Sequence, residues 1–242
     1  MAREDVQAFL AQARGGAGVA QAKVLTLDEL SARTAQPQHG QARFSFEAMR
    51  GRLLELSASG ASGVLSAATG LVLEAQQAQE PVAWVTFVDT SFYPPDVSDS
   101  GVDLAALVVV RVPDVGKAAR AAEQLLRSGA FGLVIVDLAV PDRVLEVRSA
   151  TAQGPASERK RLPLAVQGRL VTLAQQQQAL VVCLTEKRGE QESLGSMVSL
   201  RVEALRERKG EQVGVTLHAL KDKRHGPGWS QHLPCRVPAG LK

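Results

Sequence analysis

Short apolar runs recur along the middle of the chain and alternate with segments of helical periodicity. The apolar runs predict buried strands at 53–56, 82–89, 107–111, 132–137 and 180–184. Between them, apolar residues spaced as on one face of a helix predict helices at 65–79, 115–127 and 163–178. Asp114 is the expected N-cap of the second helix, and Ser128-Gly129 ends it. This order is typical of an α/β fold with a mostly parallel sheet covered by helices on both faces.

The pattern changes near the C-terminus, where apolar and polar residues alternate at 198–204 and again at 213–219. Alternation with a period of two predicts strands with one buried face. We expect a turn over 206–212 between them, and hence an antiparallel extension of the parallel sheet.

The N-terminal part is different in character. Residues 3–13 have the periodicity of a short amphipathic helix, and a connector at 34–41 is rich in Gln, Pro and Gly. We therefore divide the chain into an N-terminal helix and connector, 1–42, and a core domain, 43–242. The helix is too short to be stable alone, so its apolar stripe, which includes Phe9 and Leu10, is a candidate contact for a partner or for its own core.

Composition restricts the class of protein. The chain has 242 residues, of which 45% are hydrophobic, and it contains no apolar run long enough to cross a membrane. Acidic residues at the start argue against a secretory signal, so a cytoplasmic location is expected. The two cysteines do not have the spacing of metal ligands, and we expect no metal site.

The net charge is only +3, but basic residues cluster in the second half of the chain. Two of these clusters are candidate DNA contacts: Arg159, Lys160 and Arg161, and then Lys187 and Arg188. Phosphate recognition and an ordinary solvated surface both fit such clusters.

The segment after the first predicted strand has the layout of a phosphate-binding loop without its chemistry. On the template Gly-x-x-x-x-Gly-Lys-Ser/Thr, Ala58 replaces the first glycine and Gly63 retains the second. Val64 stands where a lysine would neutralise phosphate charge, and Leu65 where a hydroxyl would hold Mg²⁺. We therefore expect neither ATP hydrolysis nor a bound nucleotide cofactor. A simple Gly/Ser turn leading into a helix is the alternative interpretation.

Several of these segments together resemble the core domain of the RecA recombinase family, over about residues 43–241. The resemblance lies in the order and spacing of Gly-Arg-Leu-Leu-Glu-Leu at 51–56, Phe-Val-Asp at 87–89, the run from 126 to 137, and Lys-Asp-Lys at 221–223. It implies a RecA-like fold. It also implies that Asp89 and Asp137 match the family's acidic positions, and that Lys221 and Lys223 match its Lys-x-Lys hairpin, a contact between protomers.

The departures from that pattern concern catalysis. The resemblance places Ser91 where the family has a water-activating glutamate, and Glu186 where it has a glutamine that relays nucleotide state. The second DNA-binding loop is shortened to about 187–195. The chain therefore resembles a RecA-like protein that is not an enzyme.

A degenerate RecA-like protein of this kind resembles the ImuA group, accessories of DNA-damage-induced mutagenesis. That resemblance implies a role in translesion synthesis and the SOS response, with a Y-family polymerase homologue (ImuB-type) and RecA as partners, and weak single-stranded DNA binding. A DNA-binding regulator of RecA filaments is a second hypothesis. Two further hypotheses are an ATPase with an unusual loop and an unrelated α/β domain.

Overall fold

The computed structural model describes residues 43–60, 62–88, 97–139, 162–209 and 212–235. Eight strands and three α-helices lie within these residues. In chain order they are β1 Leu53–Ala58, α1 Val64–Gln77, β2 Val82–Phe87, β3 Leu107–Val112, α2 Val115–Arg127, β4 Leu133–Asp137, α3 Leu164–Gln177, β5 Leu180–Glu186, β6 Leu200–Lys209, β7 Gln212–Asp222 and β8 Ser230–Pro234. The predicted α/β class is confirmed, and the five strands and three helices predicted in the middle of the chain all form.

All eight strands join in one sheet in the order β3-β2-β4-β5-β1-β6-β7-β8. The pairings from β3 across to β6 are parallel, whereas β6 with β7 and β7 with β8 are antiparallel. The parallel strands β1, β2, β4 and β5 are almost wholly buried because helices cover them on both sides, whereas the edge strand β3 is partly exposed.

Side chains alternate between the two faces of the sheet and form two cores. On one face, Leu54 and Leu56 of β1 pack with α1 and with the apolar side of β6 and β7. On the other face, Leu53 packs in the cluster that contains the buried residues of α2 and α3. The sheet therefore separates α1 from the other two helices.

The predicted antiparallel extension is confirmed by the antiparallel pairing of β6 with β7, but its details differ from the sequence prediction in three respects. The turn predicted over 206–212 is wrong, because β6 continues to Lys209 and β7 begins at Gln212. The first strand of the extension, β6, is parallel to β1, so the antiparallel part begins only at β7. The short strand β8 was not predicted, since its sequence, Ser-Gln-His-Leu-Pro, carries few apolar residues and lies at the sheet edge.

The predicted cap of α2 is confirmed: the Asp114 side chain accepts a hydrogen bond of 2.8 Å from the backbone N–H of Lys117. At the other end of the helix, Gly129 adopts a φ of +66°, a left-handed conformation that glycine tolerates best. In the described ranges, no helix combines the length and apolarity that crossing a membrane requires.

The first described segment is tightly attached to the sheet. Phe44, Phe46 and Met49 are buried in the core beside α1. The backbone of Phe44 exchanges two hydrogen bonds with the side chain of Gln231 on β8, at 3.0 and 3.1 Å. The first described residues are thus fixed against the sheet edge.

Candidate functional site

The loop that follows β1 connects it to α1, so the predicted strand, loop and helix order is confirmed. Gly60 has a φ of +80°, and the Ser62 N–H donates to the Gly60 carbonyl oxygen at 2.8 Å, which makes a tight turn. The Ser62 hydroxyl then accepts a bond of 3.3 Å from the Val64 N–H at the helix start. Two of the loop's backbone N–H groups are therefore used within the loop.

A further N–H of this loop is used by the neighbouring strand. Gly63 donates its N–H to the carbonyl oxygen of Ala204 on β6 at 2.9 Å, and Ser62 forms an isolated antiparallel bridge with Leu205. In a phosphate-binding loop such backbone donors point at the ligand. Here one of these donors, the Gly63 N–H, is instead bonded to strand β6 of the same chain.

Gly63 also lies against the side chain of Val215 on β7. A Cβ atom added at Gly63 would lie 2.6 Å from Val215 Cγ1 and 2.7 Å from Cγ2, closer than real Cβ contacts. The loop, β6 and β7 are therefore in van der Waals contact at this point. Glycine is required at position 63 by close packing, since its φ of −101° would suit other residues.

The two residues at the cation-binding positions of the template lie in different surroundings. Val64 is 4% exposed and belongs to the core beside α1, while Leu65 is 59% exposed. Ala58 is buried at the end of β1, and its carbonyl oxygen accepts from the Lys187 N–H at 3.1 Å. None of these side chains has a group that could bind phosphate or a metal ion.

Asp137 ends β4 at the carboxyl edge of the parallel sheet, the edge where ligands bind in open α/β folds. Burial raises the pKa of Asp137 from its ordinary 3.8 to about 6, although hydrogen bonds from the Ala139 N–H and the Thr86 side chain act in the opposite direction. The other family-matched acid, Asp89, lies outside the described residues. Among the described side chains, no group of three or more His, Cys, Asp or Glu is placed to hold a metal ion.

The main polar cluster is built around Glu55, a fully buried carboxylate in the middle of β1. One carboxylate oxygen accepts from the hydroxyl of Thr185 and from the ammonium of Lys187, each at 3.0 Å. The other accepts from the hydroxyl of Ser193 at 2.8 Å and from the backbone N–H of Leu194 at 2.7 Å. Four donors from β5 and the following segment thus converge on one side chain.

Arg201 of β6 fixes the same segment from a second side. It is only 3% exposed, its Nη2 donates to the carbonyl oxygen of Arg188 at 2.9 Å, and its Nη1 donates to that of Gln191. Its Nε donates to the hydroxyl of Ser57 at 3.3 Å. Residues 187–199, which we call the β5–β6 loop, are therefore held over the sheet by Glu55 and Arg201 together.

The predicted Lys-x-Lys pair contacts this loop as well. Lys221 Nζ donates to the carbonyl oxygen of Gly195 at 3.1 Å, and Lys223 Nζ donates to that of Ser196 at 2.7 Å. Burial, and next the charge of Lys223, lower the pKa of Lys221. Both lysines are used within the chain, which leaves their predicted role between protomers untested.

Between the two lysines, Asp222 points inward to a buried ion pair. Its Oδ1 lies 2.7 Å from Nη2 of Arg52, and the two side chains are 1% and 2% exposed. Burial alone would raise the pKa of Asp222, but the Arg224 N–H, the Arg52 guanidinium and the Trp229 indole N–H together lower it to about 2. This pair fixes the end of β7 and therefore the position of both lysines.

The predicted DNA contacts divide between described and undescribed residues. Lys187 is bound to Glu55 and half-buried, whereas Arg188 is exposed to solvent. Arg159, Lys160 and Arg161 lie outside the described residues, as do Phe9 and Leu10. Of the five basic residues, the structure thus offers one free surface group for phosphate contact in the ranges it describes.

Sequence reasoning missed Glu55, Arg201 and the Arg52–Asp222 pair. The signal was present for Glu55, since a carboxylate in the otherwise apolar β1 must find partners when it is buried. The partners themselves could not be read from the sequence, because the segments that supply them are 130 to 170 residues away along the chain.

Comparison with solved structures finds many chains of similar fold, two of which are described here. A RadB recombinase superimposes with a TM-score of 0.55 at 16% identity, over 76% of this chain and 87% of that one. The fold is RecA-like. A KaiC-like protein from the hyperthermophilic archaeon Pyrococcus horikoshii OT3 gives a TM-score of 0.52 at 14% identity, over 76% and 85% of the two chains.

The RecA-like fold confirms the predicted architecture, and at these identities the likeness concerns the fold alone. No protein-family model matches the chain, and no curated protein matches it in sequence.

Proposed function

We propose that this RecA-like protein is a non-catalytic accessory factor of DNA-damage-induced mutagenesis. In this role it supports translesion synthesis by binding a Y-family polymerase homologue of the ImuB type, RecA, or both. The fold supports the RecA-like part of the proposal, and the resemblance to the ImuA group supports the choice of process and partners.

One observation carries the non-catalytic part. The loop in the phosphate-binding position is joined to the chain's own β6, through the bond from Gly63 to Ala204, and packs on Val215 of β7. A triphosphate bound there would need that N–H and that space, together with cations that Val64 and Leu65 do not supply. The proposed role is therefore binding to other macromolecules.

The test of this role is binding of the purified chain to the polymerase homologue and to RecA, measured by biolayer interferometry with each partner separately. The proposal predicts saturable binding to at least one of them. A double variant, Phe9→Ala with Leu10→Ala, tests the N-terminal stripe, because truncating a large apolar side chain that is buried in a contact costs about 2 to 5 kcal/mol. Lost binding with an unchanged melting temperature assigns the stripe to a partner, whereas a lowered melting temperature with binding retained assigns it to the core. Absence of binding to both proteins contradicts the proposed role.

A DNA-binding regulator of RecA filaments is the second candidate, and the exposed guanidinium of Arg188 on the β5–β6 loop favours it. Such binding should be weak and independent of sequence, and it should fall steeply with salt because phosphate contacts release counterions. Fluorescence anisotropy with a poly(dT) oligonucleotide at low and at physiological salt tests this. Affinity that does not change with salt, or no binding at low salt, removes this candidate.

A further inference from the structure

A notch of about 320 Å³ opens between the start of α3 and the β5–β6 loop. Its lining includes Leu162, Pro163, Leu164, Gln167, Leu194 and Gly195. We call this feature the α3 notch. It lies outside the degenerate phosphate loop, and its volume is at the lower end of the range for binding pockets.

Two large apolar side chains stand exposed beside the α3 notch. Leu164 is 57% exposed and Met197 is 39% exposed. They belong to one patch, since the Met197 methyl group lies 3.9 Å from a Cβ position built on Gly168, one helical turn after Leu164. Exposed apolar side chains grouped around a concavity are typical of a binding surface, whereas isolated ones are not.

A buried glutamine connects the two sides of the notch. Gln167 is 3% exposed, and its Nε2 donates to the carbonyl oxygens of Leu162 and Leu194 at 2.7 and 3.1 Å. Its Oε1 is buried and accepts no hydrogen bond from the part of the chain that the structure describes. Through Nε2, Gln167 therefore joins the segment before α3 to the β5–β6 loop and fixes the two sides of the notch relative to each other.

One rim of the patch is positively charged. The ammonium groups of Lys221 and Lys223 reach the carbonyl oxygens of Gly195 and Ser196, and no described carboxylate lies within 4.0 Å of either ammonium group. Glu192 also lines the notch and disfavours an acidic group inside it. Charge complementarity therefore places the acidic groups of a ligand at the lysine rim and its apolar group in the notch.

The loop that forms one wall is held in place before any ligand binds. Glu55 and Arg201 bind the backbone of this loop at residues 188, 191 and 194. A wall fixed by buried ionic contacts loses little conformational entropy on binding. The described lining has no aromatic side chain on which a nucleic-acid base could stack, which favours a polypeptide over a single strand.

We propose that the α3 notch docks a short segment of a protein partner, with a large apolar side chain in the notch and acidic residues at the Lys221–Lys223 rim. This inference rests on the proposed function, since the partner is the polymerase homologue or RecA. It adds the surface used and the chemistry of the segment that is bound.

The test compares two double variants with the same loss of exposed apolar surface. Leu164→Ala with Met197→Ala removes the patch. Leu65→Ala with Leu104→Ala is the control, because those side chains are 59% and 38% exposed and lie elsewhere, Leu65 likewise in the first turn of a helix. Both variants should keep the wild-type melting temperature. Affinity for the purified polymerase homologue and for RecA is measured by biolayer interferometry, and affinity for poly(dT) by anisotropy.

The notch variant should bind its protein partner about tenfold or more weakly, and the control variant within about twofold of wild type. Lys223→Gln should slow association and reduce its salt dependence. If the wild type binds and the notch variant binds equally well, the docking proposal is overturned while the accessory role stands. Failure of the wild type to bind either protein overturns both. A loss confined to poly(dT) makes the surface a nucleic-acid site and also overturns the docking proposal.

Discussion

The backbone N–H of Gly63 donates a hydrogen bond of 2.9 Å to the carbonyl oxygen of Ala204, which ties the loop after β1 to the strand β6. The same glycine touches Val215 of β7. The start of α1 and the C-terminal strands are thus one packed unit. In a nucleotide-binding protein the corresponding space and donors belong to the ligand.

The contact with Val215 gives a stability prediction for Gly63→Ala. The new methyl group would lie about 2.6 Å from Val215 Cγ1, so the variant should lose about 1 to 3 kcal/mol of unfolding free energy through overpacking. Urea denaturation measures the change. Gly70→Ala is the matched control, because Gly70 lies inside α1 with nothing within 4 Å of the added Cβ. The control should be stabilised by about 0.5 to 1 kcal/mol, and equal effects of the two changes would contradict close packing at the loop.

The second prediction concerns Glu55→Gln. A glutamine amide cannot accept from all four donors that surround this site, and the change leaves the Lys187 ammonium without its counter-charge. Unfolding free energy should fall by about 2 to 4 kcal/mol, since the carboxylate is fully buried while Lys187 is partly solvated. Hydrogen exchange of the Leu194 amide should accelerate more than that of amides in β2. Glu47→Gln, at a side chain that is 80% exposed, should change neither measurement.

The third prediction is a pH dependence at Asp137. Its raised pKa means that the folded state binds a proton more readily than the unfolded state, so the stabilisation is complete below about pH 4 and is lost as pH rises through about 6. Asp137→Asn cannot ionise and escapes this loss. The variant should therefore gain stability relative to wild type between pH 4 and pH 7, by about 3 kcal/mol at most, in urea denaturation. A difference between the two proteins that is constant over this range would contradict the burial of an ionisable Asp137.

The fourth prediction concerns the Arg52–Asp222 pair. The lowered pKa of Asp222 means that its contribution to stability is present above about pH 4 and is lost as pH falls through about 2. Asp222→Asn should cost about 3 to 5 kcal/mol at neutral pH, because it leaves the buried Arg52 charge uncompensated. The variant should also show a flatter acid denaturation curve than wild type. Unchanged stability at neutral pH would show that the pair is not buried as described.

The parallel part of the fold could be predicted because its strands are continuous apolar runs and its helices have a clear period, as in β4 and α2. The end of β6 could not be predicted. Its residues Arg206 and Arg208 are exposed on a two-stranded antiparallel segment, and such polar residues are also typical of a turn. Strand β8 could not be predicted either, because it is formed by backbone pairing with β7 and its five-residue polar sequence has no strand pattern.

The site was predictable in part. The absence of a lysine at position 64 and of a hydroxyl group at position 65 is visible in the sequence alone. The burial of Val64 and the exposure of Leu65 depend on how α1 meets the sheet. The contact between Gly63 and Val215 joins residues more than 150 positions apart, so no local pattern could indicate it.

We predict that this protein neither binds nor hydrolyses ATP, and isothermal titration with ATP and Mg²⁺ measures the binding. A RecA protein titrated in the same buffer serves as the positive control. The variant Val64→Lys with Leu65→Thr should not gain binding, because the side chain at position 64 lies in the core and Ala58 remains in place of a glycine. The wild-type protein should give no saturable heat, and saturable binding of ATP at micromolar concentration would contradict the proposed non-catalytic role.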